Sequence, residues 1–217
     1  MPYLCSTKYL TCARRQPIFV IMKTAKVVSI NERAIENLKY IRDTMERAGS
    51  FTAVPGWGGI LMGISALMTS LVSGHLPSKN LWFISWLGEA AVALAIGGWA
   101  MAQKAKASQS ALLEGPGRKF ALSLCPGMIA GAVLTVVLFR QQLFGLMPGT
   151  WLLLYGVSVV TGGAFSVQVV PIMGLSFMGV GMIALFVPFE WGNWFMAAGF
   201  GAIHIVFGIV IARRYGG

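Results

Sequence analysis

The chain has 217 residues, of which 56% are hydrophobic and 11% charged, and it carries a formal net charge of +10. A soluble domain carries roughly 25% charged residues, so a water-soluble globule is excluded as its main body. The excess of lysine and arginine comes with no recognition motif, which argues against a nucleic-acid partner.

The N-terminal residues differ from the rest. Residues 1–29 are expected to be disordered or misassigned, with residues 1–21 lying upstream of a true start at Met22. Arg14-Arg15 followed by Ile18-Phe19-Val20-Ile21 has the outline of a twin-arginine export signal, but the apolar stretch is too short and ends at Lys23. Residues 30–50 read as a cytoplasmic amphipathic helix. Ala34, Leu38, Ile41, Met45 and Ala48 recur at spacings of three and four with charged residues between them. Such a helix lies on the inner leaflet or pairs with a copy of itself, and its short length favours the surface.

Residues 51–217 read as a transmembrane domain. A helix crosses the roughly 30 Å hydrocarbon core with about 20 apolar residues. Runs of that kind are expected at about 54–74, 81–102, 120–139, 149–167, 169–188 and 193–212. Gln168 and Pro171, following Gly162-Gly163, separate the fourth from the fifth. All lysines and arginines except Lys79 and Arg140 precede the first run, join the second to the third, or follow the last. Basic loops stay in the cytoplasm, so both termini are expected there, in a multi-pass protein of a bacterial inner membrane. Trp82, Trp86, Trp151, Trp191 and Trp194 fall near one set of ends and Trp57 and Trp99 near the other, as an anchoring belt requires. Gly59-x-x-x-Gly63 and Gly127-x-x-x-Gly131 allow close helix approach. Cys5, Cys12 and Cys125 form no Cys-x-x-Cys pair, and no metal or cofactor site is expected.

The chain contains an internal echo. Val54-Pro55-x-x-Gly58-x-x-x-Met62-Gly63 is matched by Val170-Pro171-x-x-Gly174-x-x-x-Met178-Gly179, and Gly49-Ser50-Phe51-Thr52 by Gly163-Ala164-Phe165-Ser166. This suggests a parallel repeat and three helical hairpins. That pattern, and above all Met173-Gly174 through Arg213-Arg214 with Pro188 at the turn, resembles the HdeD-type family of small bacterial membrane proteins. The resemblance implies a six-helix inner-membrane protein linked to acid or stress tolerance, and it carries over no catalytic residue. The N-terminal amphipathic helix departs from that family.

Ionisable groups inside the runs are the candidates for chemistry, because a charge near the bilayer centre costs roughly 2.5–3.5 kcal/mol on insertion scales. Glu89 and His204 are such groups, at depths differing by about 4–5 Å at 1.5 Å per residue. They are expected to form a hydrogen bond or proton-exchange pair, the plainer alternative being a static polar contact. Arg140 and Glu190 are candidates for an ion pair at the outer face, with simple snorkelling as the alternative. No His-Glu-x-x-His, Gly-x-Ser-x-Gly or phosphate-loop motif occurs, and Asp43 is the sole aspartate. The expectation is therefore an all-α polytopic membrane protein of six transmembrane helices that is not an enzyme. Its partners are the lipid bilayer and a second copy or another membrane protein. Its role is structural, stress-related or that of a partner subunit, with a proton-linked small-solute carrier or channel using Glu89 and His204 as the alternative.

Overall fold

The structure, a computed structural model, describes residues 35–41, 51–107 and 115–215. The chain divides into two units, Met1–Tyr40 and Ile41–Gly217. Residues 35–41 are helical and exposed. The expected segment 1–29, the Met22 start and the rest of the amphipathic helix lie outside the described residues.

The second unit is all-helical. Its helices are α1 Gly56–Ser73, α2 Lys79–Ala107, α3 Gly115–Arg140, α4 Met147–Gly163, α5 Val169–Ala184 and α6 Phe189–Tyr215. Proline marks most of the starts: Pro55 and Pro188 immediately precede α1 and α6, and Pro148 and Pro171 lie in the first turns of α4 and α5. A missing N–H costs nothing there, since first-turn donors have no intrahelical partner. Five of the six helices are long and apolar enough to cross a membrane, and α5 is shorter. The boundary expected between the fourth and fifth runs falls at Ala164–Gln168.

The α3–α4 turn carries a local strain. Gln142 has φ of 57°, the left-handed region that glycine adopts freely. Leu143 N–H donates to the Leu138 carbonyl at 2.9 Å and Gln142 N–H to that of Phe139 at 3.1 Å, which closes the end of α3 as a Schellman motif. Gln142→Gly removes the side-chain penalty, together with one exposed bond from Gln142 Nε2 to the Phe139 carbonyl. The expected result is a gain of about 0.5–1 kcal/mol, read as a higher melting temperature of purified protein.

Packing rests on glycines that recur on one face of a helix, seven residues apart on α4 and three and four apart on α1. Gly149, Gly156 and Gly163 on α4 meet Leu185, Met178 with Gly174, and Pro171 on α5. On α1, Gly56, Gly59 and Gly63 meet Ala212, Gly208 and Ile205 with Gly201 on α6. Apolar side chains gain little by leaving lipid for one another, so close backbone approach supplies the packing energy. The helices pack in the order α2–α1–α6–α5–α4–α3. Hairpins α1–α2 and α3–α4 form as expected, but α5 packs chiefly on α4, and α6 on α1. The series does not close along its length. Between its outer members, α2 and α3, Phe83 stacks on Phe139 at 4.7 Å.

The two echoing segments touch. Phe51 N–H donates to the Phe165 carbonyl at 2.8 Å, and the Ser166 hydroxyl to the Phe51 carbonyl at 2.7 Å. Nearby, Phe51 packs on Phe120 at 5.1 Å, and Lys104 Nζ donates to the Val54 carbonyl at 2.9 Å. This is the basic end of the bundle. Trp57, Trp99, Trp191 and Trp194 are exposed, as an anchoring belt requires. Trp82 and Trp86 are not part of it: they are 4% and 3% exposed, turned inward by a polar partner described below.

Candidate functional site

A cavity of about 730 Å³ lies inside the helix series, and all six helices contribute to its wall. Along α2 its lining runs from Trp86 to Met101, about 22 Å at 1.5 Å per residue. Small residues make the space: Ala93 and Gly97 of α2, Gly127 and Gly131 of α3, Gly208 of α6. On the unclosed side, Leu87 and Leu94 of α2 and Cys125 and Met128 of α3 line the cavity while also being exposed. The wall is apolar apart from a few groups, of which Glu89, Tyr155 and His204 carry the chemistry.

Glu89 is 7% exposed and is held by one helical turn of α1. The Ser65 hydroxyl is 2.7 Å from Oε1, and the Thr69 hydroxyl donates to Oε2 at 2.9 Å. Residues four apart share a helix face, which is why both hydroxyls reach one carboxylate. Ser65 Oγ is also 2.9 Å from the Met62 carbonyl. A hydroxyl has one hydrogen. When that hydrogen points to Glu89, both carboxyl oxygens accept a hydroxyl, as a carboxylate can. When it points to the Met62 carbonyl, Oε1 carries a proton and donates it to Ser65. Rotation of one hydroxyl therefore accommodates both protonation states without moving a heavy atom.

His204 is 4% exposed. Its Nδ1 is 3.0 Å from the Phe200 carbonyl, and its Nε2 is 2.9 Å from the Tyr155 hydroxyl. A carbonyl only accepts, so Nδ1 carries the hydrogen; in the neutral ring Nε2 accepts and Tyr155 donates. Phe177, at 5.0 Å from the imidazole, and Phe200, at 6.2 Å, pack around it. His204 follows a π-helical segment, Ala197–Ile203, inside α6. Such wider turns are frequent at functional sites. Here it holds Gly199 against Leu152 and Gly201 against Leu67.

Trp86, at one end of the cavity lining, is held by an amide. Asn193 Oδ1 accepts from the Ser73 hydroxyl at 2.8 Å, Trp86 Nε1 at 3.2 Å and Trp82 Nε1 at 3.3 Å. Its Nδ2 donates to the Ser70 carbonyl at 2.8 Å and the Ser70 hydroxyl at 3.1 Å. Trp82 stacks on Trp151 at 5.8 Å and meets the edge of Phe189 at 5.2 Å. One amide thus ties α1, α2 and α6 together.

Glu89 and His204 share the cavity, yet no hydrogen bond joins them. Each is occupied locally, Glu89 by α1 and His204 by Tyr155 and its own helix, so the expected direct pair does not form. Arg140 and Glu190 are both exposed and form no ion pair with each other. Asn193 and Tyr155 were not among the sequence candidates. Each is the sole residue of its kind within the six expected runs, a signal independent of charge. Ser158 is fully buried and donates to the Leu154 carbonyl at 2.9 Å.

No family model, curated protein or solved structure matches the chain.

Proposed function

We propose that the chain is a proton-linked carrier or channel for a small solute, not an enzyme. In this reading all six helices cross a bacterial inner membrane, with both termini in the cytoplasm. The observation that carries it is the cavity with Glu89 on its wall and Ser65 placed to serve either protonation state. A carboxyl that gains and loses a proton inside an apolar chamber is what coupling a solute to protons requires. The placement of lysine and arginine supports the orientation. Helix α5, with 16 residues, spans about 24 Å at 1.5 Å per residue, a mismatch that local thinning of the bilayer absorbs. A stress-related partner subunit acting through helix contacts is a second reading. It is favoured by α3, whose most apolar window has no buried residue and offers a whole face to lipid or another helix.

Proteoliposomes with an imposed pH gradient and an entrapped pH-sensitive dye test the first reading. The gradient is expected to collapse faster than in protein-free vesicles, and Glu89→Gln to return the rate to that of protein-free vesicles. The amide that Glu89→Gln introduces still accepts from Ser65 or Thr69, so folding of the variant is expected to be close to native. A rate indifferent to Glu89 would remove the proton role and leave the subunit reading.

A further inference from the structure

We propose that the cavity takes an apolar cation, with its positive charge held at Glu89. The inference rests on the carrier reading above and names its substrate class. Among the described residues Glu89 is the only carboxylate on the wall, and no lysine or arginine lines it. His204 is occupied by the Phe200 carbonyl and the Tyr155 hydroxyl. A buried carboxylate is expensive without a counter-charge, and the wall supplies none. Its two hydroxyl partners leave further lone pairs on both oxygens, which a cationic or donor group satisfies and an anion does not.

Two further features select the rest of the ligand. Trp86, Trp151, Tyr155 and Phe200 bring aromatic rings to the wall, and ring faces attract a desolvated cation. The exposed gap between α2 and α3, bordered by Leu87 and Met128, opens toward the surface that lipid covers in this reading. An apolar body enters there, whereas a hydrated metal ion would have to shed its water. Cation and proton then compete for one carboxylate. Protonated Glu89 donates to Ser65 and has no charge to offer, so binding weakens as pH falls. The other titratable groups on the wall are Cys125, Tyr155 and His204, while α1 presents only Ser65 and Thr69 to the carboxylate.

The test is equilibrium dialysis of the purified full chain in an uncharged detergent, with tetraphenylphosphonium as probe and tetraphenylborate as an anion of similar size and shape. The cation is expected to be retained and the anion not. Retention should fall on acidification, weaken about tenfold or more in Glu89→Gln, and survive in Glu89→Asp. Tryptophan-fluorescence melting confirms that each variant is folded. Equal retention of both ions, unchanged by Glu89→Gln, overturns the cation assignment and leaves the carrier reading standing. Retention of neither ion by protein with native melting likewise overturns the cation assignment, and the proton-flux assay alone decides the carrier reading.

Discussion

Gly156→Ala is expected to prevent α4 and α5 from docking. A Cβ at that position falls 2.7 Å from the Gly174 carbonyl oxygen and 2.8 Å from the Met178 amide nitrogen, both backbone atoms of α5. Overpacking costs about 1–3 kcal/mol where side chains can shift. Backbone cannot, so the loss should reach or exceed the top of that range. The measurement is recovery of monodisperse protein after detergent extraction, together with its melting temperature. Gly179→Ala is the internal control, because nothing lies within 4 Å of its added Cβ. Alanine there should stabilise by about 1 kcal/mol through helix propensity. If both variants behave alike, the packing of α4 on α5 is not what holds the fold.

The second large effect is expected at Asn193. Asn193→Ala removes five side-chain hydrogen bonds at once and leaves the indole N–H groups of Trp82 and Trp86 without an acceptor. Hydrogen bonds between membrane helices average about 0.6 kcal/mol each, which puts the loss at about 3 kcal/mol. Buried orphan donors move it upward. Because both tryptophans change partner, the emission spectrum should shift along with the melting temperature. Asn193→Asp keeps the acceptor but not the donor to the Ser70 carbonyl, and should also be destabilised. A neutral Asn193→Ala would mean that Trp82 and Trp86 are held by ring packing alone.

The fold was legible in the sequence where bilayer physics is one-dimensional. Run length and hydropathy placed all six helices, and Gly162-Gly163 with Pro171 placed the break between α4 and α5 within a few residues. The close approach at Gly59 and Gly63 followed from small-residue spacing. What depends on which helices meet was not legible. Hydropathy does not encode the pairing of α6 with α1, so a hairpin model gave α6 the wrong principal partner. For the same reason Glu89 and His204 were matched by depth alone, whereas rotation about each helix axis decides the contact and turned Glu89 toward Ser65 and Thr69. Tryptophans at run ends read as headgroup anchors, but Trp82 and Trp86 turn inward because Asn193 gives their N–H groups an acceptor inside the bundle. The π-helical turn before His204 has no signature in periodicity, since Ala197–Ile203 is apolar throughout.

The proposed topology has six crossings, and α5 is the helix on which that number depends. The most direct measurement is side-specific labelling with a membrane-impermeant maleimide, using single cysteines in a background lacking Cys5, Cys12 and Cys125. His75→Cys, Gln142→Cys and Glu190→Cys should react from the periplasmic side of intact cells, and Gln168→Cys and Tyr215→Cys only after permeabilisation. Reaction of Gln168→Cys and Glu190→Cys from the same side would show that α5 does not cross, and would contradict the six-span arrangement on which the intramembrane cavity depends.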